Sequence, residues 1–74
     1  NPTTVIPFSL EKRGHVDLSV FNVNGRLVAK LFNQEMSAGQ YQAKFDGSRL
    51  SSGVYYYRLM VDGKLFTKKM MLVK

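Results

Sequence analysis

Between Thr4 and Leu10, the side chains of Thr4, Ile6, Phe8 and Leu10 fall on one side of an extended backbone and those of Val5, Pro7 and Ser9 on the other. This is the period of two that a strand imposes. Pro7 has no amide hydrogen to give to a ladder, so this strand belongs at a sheet edge. After a charged turn, Glu11 to Gly14, the second strand from His15 to Phe21 points Val16, Leu18 and Val20 inward and His15, Asp17 and Ser19 outward. Asn22-Val23-Asn24-Gly25 then closes a hairpin, because Asn-Gly is among the strongest short-range turn signals. The third strand, Arg26 to Phe32, has Leu27, Ala29 and Leu31 on one face and Val28 and Phe32 on the other. Apolar residues on both faces predict a central strand.

Asn33 to Gln40 is expected to be a loop crossing between sheets, followed by a fourth strand in which Tyr41, Ala43 and Phe45 alternate with Gln42 and Lys44. Asp46-Gly47-Ser48 turns the chain, and Leu50 to Gly53 forms a flexible entry to the fifth strand, Val54 to Val61, with Tyr55, Tyr57 and Leu59 inward. Asp62-Gly63 suits a type I′ turn, which needs positive φ at both central residues. The sixth strand, Leu65 to Val73, puts Phe66, Lys68, Met70 and Leu72 on one face and Leu65, Lys69, Met71 and Val73 on the other. No helical period competes and no internal repeat stands out. Short strands separated by Gly and Asn turns predict an all-β fold, a small Greek-key, immunoglobulin-like β-sandwich of about six to seven strands without a disulfide. The C-terminal hairpin is expected to hold both the last core layer and the function.

The chain has 74 residues and no cysteine. It makes one small domain that buries about 60% of its unfolded surface, without disulfide or cysteine-bound metal to support it. No apolar run approaches the roughly 18 residues of a membrane span, and no secretory signal peptide is visible. Asn1-Pro2 reads as the end of a linker. The formal net charge is +6, from 11 basic and 5 acidic side chains, and beyond Asp62 only Lys64, Lys68, Lys69 and Lys74 carry side-chain charge. Such an edge suits an acidic partner, a phosphate-bearing glycolipid or nucleic acid. Lysines also protect an edge strand from aggregation.

Five blocks, taken together and in order, carry a resemblance. They are Asn1-Pro2-Thr3-Thr4 leading to Phe8-Ser9-Leu10, Val20 to Arg26, Ala38-Gly39-Gln40-Tyr41, Leu50 to Tyr55, and Lys68-Lys69-Met70. Their joint spacing resembles the C-terminal sorting domain of type IX secretion cargo, and the immunoglobulin-like domain of flagellar hook-capping proteins shares much of it. The resemblance implies a targeting device. An upstream cargo domain reaches the periplasm, the outer-membrane translocon recognises the folded domain, and a surface sortase-like protease removes it and attaches the cargo to anionic lipopolysaccharide. By position, the family's Gly-x-Tyr block falls on Gly39 and Tyr41, its Gly-Val-Tyr block on Gly53, Val54 and Tyr55, and its basic terminal strand on Lys68, Lys69 and Lys74. Some members separate two lysines of that strand by three residues, whereas four separate Lys69 from Lys74 here.

The same residues have structural readings. Gly39 and Gly53 suit turns of unusual φ, Tyr41, Tyr55 and Tyr57 suit a core with the hydroxyl at its rim, and Asn24-Gly25-Arg26 suits a turn whose arginine is free to bind a carboxylate. Catalysis is poorly supported: His15 is the single histidine, there is no Cys nucleophile, Ser37, Ser48, Ser51 and Ser52 lie in loops with no base placed near them, and no pair of carboxylates stands out as general acid and base. No loop has the ligand spacing of a calcium site, and no cofactor is implied. Tyr56 opposes Tyr55 and Tyr57 by alternation, so the three form no platform for stacking nucleic-acid bases. The alternative to sorting is a non-catalytic accessory module of a secreted enzyme, a spacer or a carbohydrate binder stacking sugars on Tyr56 or Phe21.

Overall fold

The computed structural model describes residues 3–73, so the linker reading of Asn1-Pro2 and the role of Lys74 lie outside the described residues. Its strands are β1 (Thr3–Leu10), β2 (Gly14–Asn22), β3 (Leu27–Met36), β4 (Gly39–Asp46), β5 (Gly53–Val61) and β6 (Lys64–Leu72). All pairings are antiparallel: β1 with β4 in one sheet, and β3-β2-β5-β6 in the other. The β2–β3 hairpin stays in the large sheet, β4 crosses to the small one, and β5 returns beside β2. That is Greek-key connectivity, and it reproduces the B–E and C′–C–F–G neighbours of an immunoglobulin sandwich.

The core forms where the alternating strands face each other. Ile6, Ala43 and Phe45 of the small sheet meet Leu18, Val20, Tyr55 and Leu72 of the large one, and Leu10, Val16 and Met36 form a second cluster. Phe8 joins the two clusters, with Tyr41 stacked on it at 5.4 Å between ring centroids and Phe32 edge-on at 5.7 Å. Pro7 lies on β1, an edge as expected.

β3 departs from its expected place. It is an edge strand, paired with β2 alone. Its register against β2 slips between Leu18 and Ser19 and again between Val20 and Phe21, so Leu31 and Val28 are bulged residues without direct partners. Each bulge reverses the alternation, and Val28, Ala29, Leu31 and Phe32 all reach the core while Leu27 stays exposed. Two bulges, and not a central position, explain its two apolar faces. β3 also continues to Met36, through part of the expected loop. Asn33 pairs with Asp17 across the ladder and its side-chain Oδ1 accepts from His15 Nε2 at 2.8 Å, and Arg13 Nε donates to Glu35 at 3.1 Å. Those polar cross-strand contacts keep a hydrophilic stretch extended.

A two-stranded sheet cannot cover four strands. The small sheet reaches β6 only at Met70, half-buried, and Leu72, 3% exposed. Phe66 faces the same side but is 56% exposed, at the edge of a groove whose other wall includes Ser9 and Leu10 of β1.

Candidate functional site

Gly39 and Gly53 open β4 and β5 with φ of 150° and 149°, a region essentially reserved for glycine. Two residues later each strand carries a tyrosine whose hydroxyl donates back to a carbonyl four residues upstream. Tyr41 Oη reaches the Ser37 carbonyl at 2.6 Å, and Tyr55 Oη reaches that of Ser51 at 2.8 Å. The glycine swings the chain through the corner and the tyrosine bolts it to the loop just left. At β5, in the F position, this is the tyrosine corner of immunoglobulin-like sandwiches. A five-residue repeat, Ser-x-Gly-x-Tyr, encodes both at residues 37–41 and 51–55. It is a repeat that a search for strand or helix periods passes over.

The two corners do not form one site. Gly39 pairs with Leu10 and Gly53 with Leu72, which places them at opposite ends of the sandwich. What the fold does bring together is the Gly53-Val54-Tyr55 block and the basic strand. Across the β5–β6 ladder Gly53 faces Leu72, Val54 faces Met71, Tyr55 faces Met70, Tyr56 faces Lys69 and Tyr57 faces Lys68. Tyr55 is buried, while Lys64, Lys68 and Lys69 are exposed and lie in neither of the two described ion pairs, Arg13–Glu35 and Lys30–Asp17. The hairpin turns at Asp62 and Gly63, with φ of 47° and 84°, as a type I′ turn requires. The Asp62 carboxylate approaches the His15 amide at 3.4 Å and fills the space where Gly14 lacks a side chain, fixing this turn to the start of β2.

Asn24, Gly25 and Arg26 lie at the same end as Gly53, since Asn22 pairs with Tyr55. The Asn22 side-chain oxygen accepts from the amides of Asn24 and Arg26, both at 3.0 Å, and Gly25 takes φ of 81°. The four residues between β2 and β3, Val23 to Arg26, are a turn first, with the Arg26 side chain exposed.

The outer face of the large sheet carries a second cluster. Phe21 and Tyr56 are cross-strand neighbours, and the Arg58 guanidinium sits 4.6 Å from the Phe21 ring centre. Beside it, the Asp17 carboxylate accepts from Ser19 Oγ at 2.8 Å and from Lys30 Nζ at 3.1 Å. The hydroxyl hydrogen bond first, then Lys30, holds the Asp17 carboxyl below its ordinary value of 3.8. The Ser48 amide, donating at 2.9 Å, likewise lowers Asp46. Among the described residues no group of three or more His, Cys, Asp or Glu is placed to hold a metal ion, and no helix is long and apolar enough to cross a membrane.

The family model described as the secretion system C-terminal sorting domain matches residues 1–74. No curated protein and no solved structure matches.

Proposed function

This chain belongs to the secretion system C-terminal sorting domain family, a non-catalytic module that directs secretion by the type IX system to the cell surface or beyond, and we propose that its β5–β6 hairpin is the part the machinery reads. Contact with the secretion machinery follows from the family. The observation that carries the finer reading is the joining, in one edge hairpin, of the Gly53-Val54-Tyr55 block, anchored by the buried Tyr55, and three exposed lysines on a strand without other charge. The tyrosine corner holds the hairpin rigid, and Lys64, Lys68 and Lys69 present charge from it. In this reading the outer-membrane translocon and a sortase-like surface protease are the partners, a cargo domain lies upstream in the same polypeptide, and an anionic lipopolysaccharide receives the cargo. Gly39, Tyr41 and the Asn24-Gly25-Arg26 turn contribute by keeping the domain folded.

The test is a reporter with a periplasmic signal at its N-terminus and this chain at its C-terminus, expressed in type IX-competent and translocon-null cells. Surface or medium delivery in the competent cell alone, lost on deleting residues 65–74 and reduced on changing Lys68 and Lys69 to Gln in a chain that keeps its circular dichroism, supports the hairpin as the signal. Delivery that survives the deletion removes the hairpin from recognition. Retention in both cells would favour an accessory module, for which the Phe21, Tyr56 and Arg58 face is the natural sugar-stacking surface.

A further inference from the structure

β6 has one partner, β5, and its other side is a free edge. The phase of that edge follows from the turn. A two-residue hairpin makes Val61–Lys64 a hydrogen-bonded pair, and in an antiparallel ladder such pairs alternate. Lys64, Phe66, Lys68, Met70 and Leu72 therefore spend their backbone groups on β5, while Leu65, Thr67, Lys69 and Met71 direct theirs away from the protein. Natural edges are blunted by being short, bulged or polar. β3, the opposite edge, has its two bulges, whereas β6 runs nine residues in unbroken register. Leu65, Phe66, Met71 and Val73 are each more than half exposed along it.

From this geometry we propose that β6 accepts an added antiparallel strand from a partner protein, an extended segment with two adjacent acidic residues flanked by apolar ones. The inference rests on the sorting reading and deepens it by giving the partner's chemistry. Lys68 and Lys69 project to opposite faces of the strand, so neutralising both takes consecutive acidic residues, one per face. Apolar residues of the partner then lie opposite Phe66 on one flank and Met70 on the other, on the face that Lys68 shares. Next to Phe66 a groove of about 180 Å³, lined by Leu10, Leu59, Val61 and Lys64, receives an inward-facing apolar side chain. Glu11 and Asp62 border that groove together with Lys12 and Lys64, so its charge is balanced, and the adjacent exposed charges of Lys68 and Lys69 are what place the acidic pair. A second copy of the chain is disfavoured as occupant, because antiparallel pairing of two β6 edges about their centre sets lysine against lysine.

The probe is a synthetic peptide, Val-Thr-Val-Glu-Glu-Thr-Val-Thr-Val, with a Lys-Lys counterpart as control. It is added to the isotope-labelled chain, and amide hydrogen exchange is followed by NMR. Strand addition protects the Leu65, Thr67, Lys69 and Met71 amides on binding and leaves Phe66, Lys68 and Met70, already bonded to β5, unchanged. Protection without that alternation, or equal binding of both peptides, overturns the proposal. Thr67→Pro removes one outward amide without taking a bond from β5 and is expected to abolish binding. Lys68→Gln and Lys69→Gln each weaken it roughly two- to fivefold, as one cross-strand charge pair does. In the reporter assay, wild-type delivery together with normal delivery of the Thr67→Pro chain overturns strand addition while leaving sorting intact, and loss of wild-type delivery defeats sorting itself.

Discussion

At the scale of single residues, the two glycines carry more of the fold than their size suggests. No neighbouring atom would meet a Cβ at Gly39 or Gly53, so a side chain there suffers only from its own backbone angle. Gly53→Ala is expected to destabilise the domain by about 1–3 kcal/mol, read from urea unfolding. Tyr55→Phe keeps the ring in the core and loses only the bond to Ser51, for about 1 kcal/mol. Asp17 makes an acid-sensitive contribution. Its folded carboxyl lies below the unfolded value of 3.8, so the stability it adds is complete above that value and is lost as pH falls through the lower folded one. Asp17→Asn is therefore expected to flatten the stability profile below about pH 4, measured by unfolding at stepped pH. Sequence alone made Gly39 and Gly53 turn glycines and put the tyrosine hydroxyls at the rim. The bond from each hydroxyl to the residue four before it was hidden, because alternation reports which face a side chain takes and not where its tip ends.

At the scale of the element, β6 depends on its far end. Leu72 is seated against the bare face of Gly47, where an added Cβ would lie 2.7 Å from the leucine methyls. Gly47→Val is expected to unseat Leu72 and fray β6, seen as faster exchange at Met70 and Leu72 while the β2 amides stay protected. The three-lysine change Lys68, Lys69 and Lys74 to Gln is expected to leave circular dichroism and the unfolding midpoint unchanged and to reduce delivery, since Lys68 and Lys69 are exposed and lie in neither described ion pair. The strands of the hairpin were legible because turn chemistry and alternation agree there. β3 was misread for the opposite reason: a bulge shifts the period by one residue, and a chain with two of them looks buried on both faces.

At the scale of the whole molecule, the unequal sheets decide what is displayed. The turn after β4 abuts Leu72 at the far end of β6, β1 borders the groove beside Phe66, and the flank between them stays open. Deleting residues 65–74 bares β5 along its length and is expected to cause aggregation as well as loss of sorting, measurable by light scattering. Six strands and two sheets could be read from the spacing of turns, but the open flank could not, since the order of strands within a sheet is a long-range property.

The repeated corner also separates two kinds of failure in a cell. A chain altered at Gly39, Tyr41, Gly53 or Tyr55 keeps every exposed lysine and lacks only a sufficient folded fraction, a deficit that cooler growth reduces. On the proposed reading, a chain altered at both Lys68 and Lys69 is expected to fold as the unaltered chain does and to be delivered poorly whatever the growth temperature. Delivery regained in the cold therefore marks a bolt, and delivery that stays lost in the cold marks a letter of the signal.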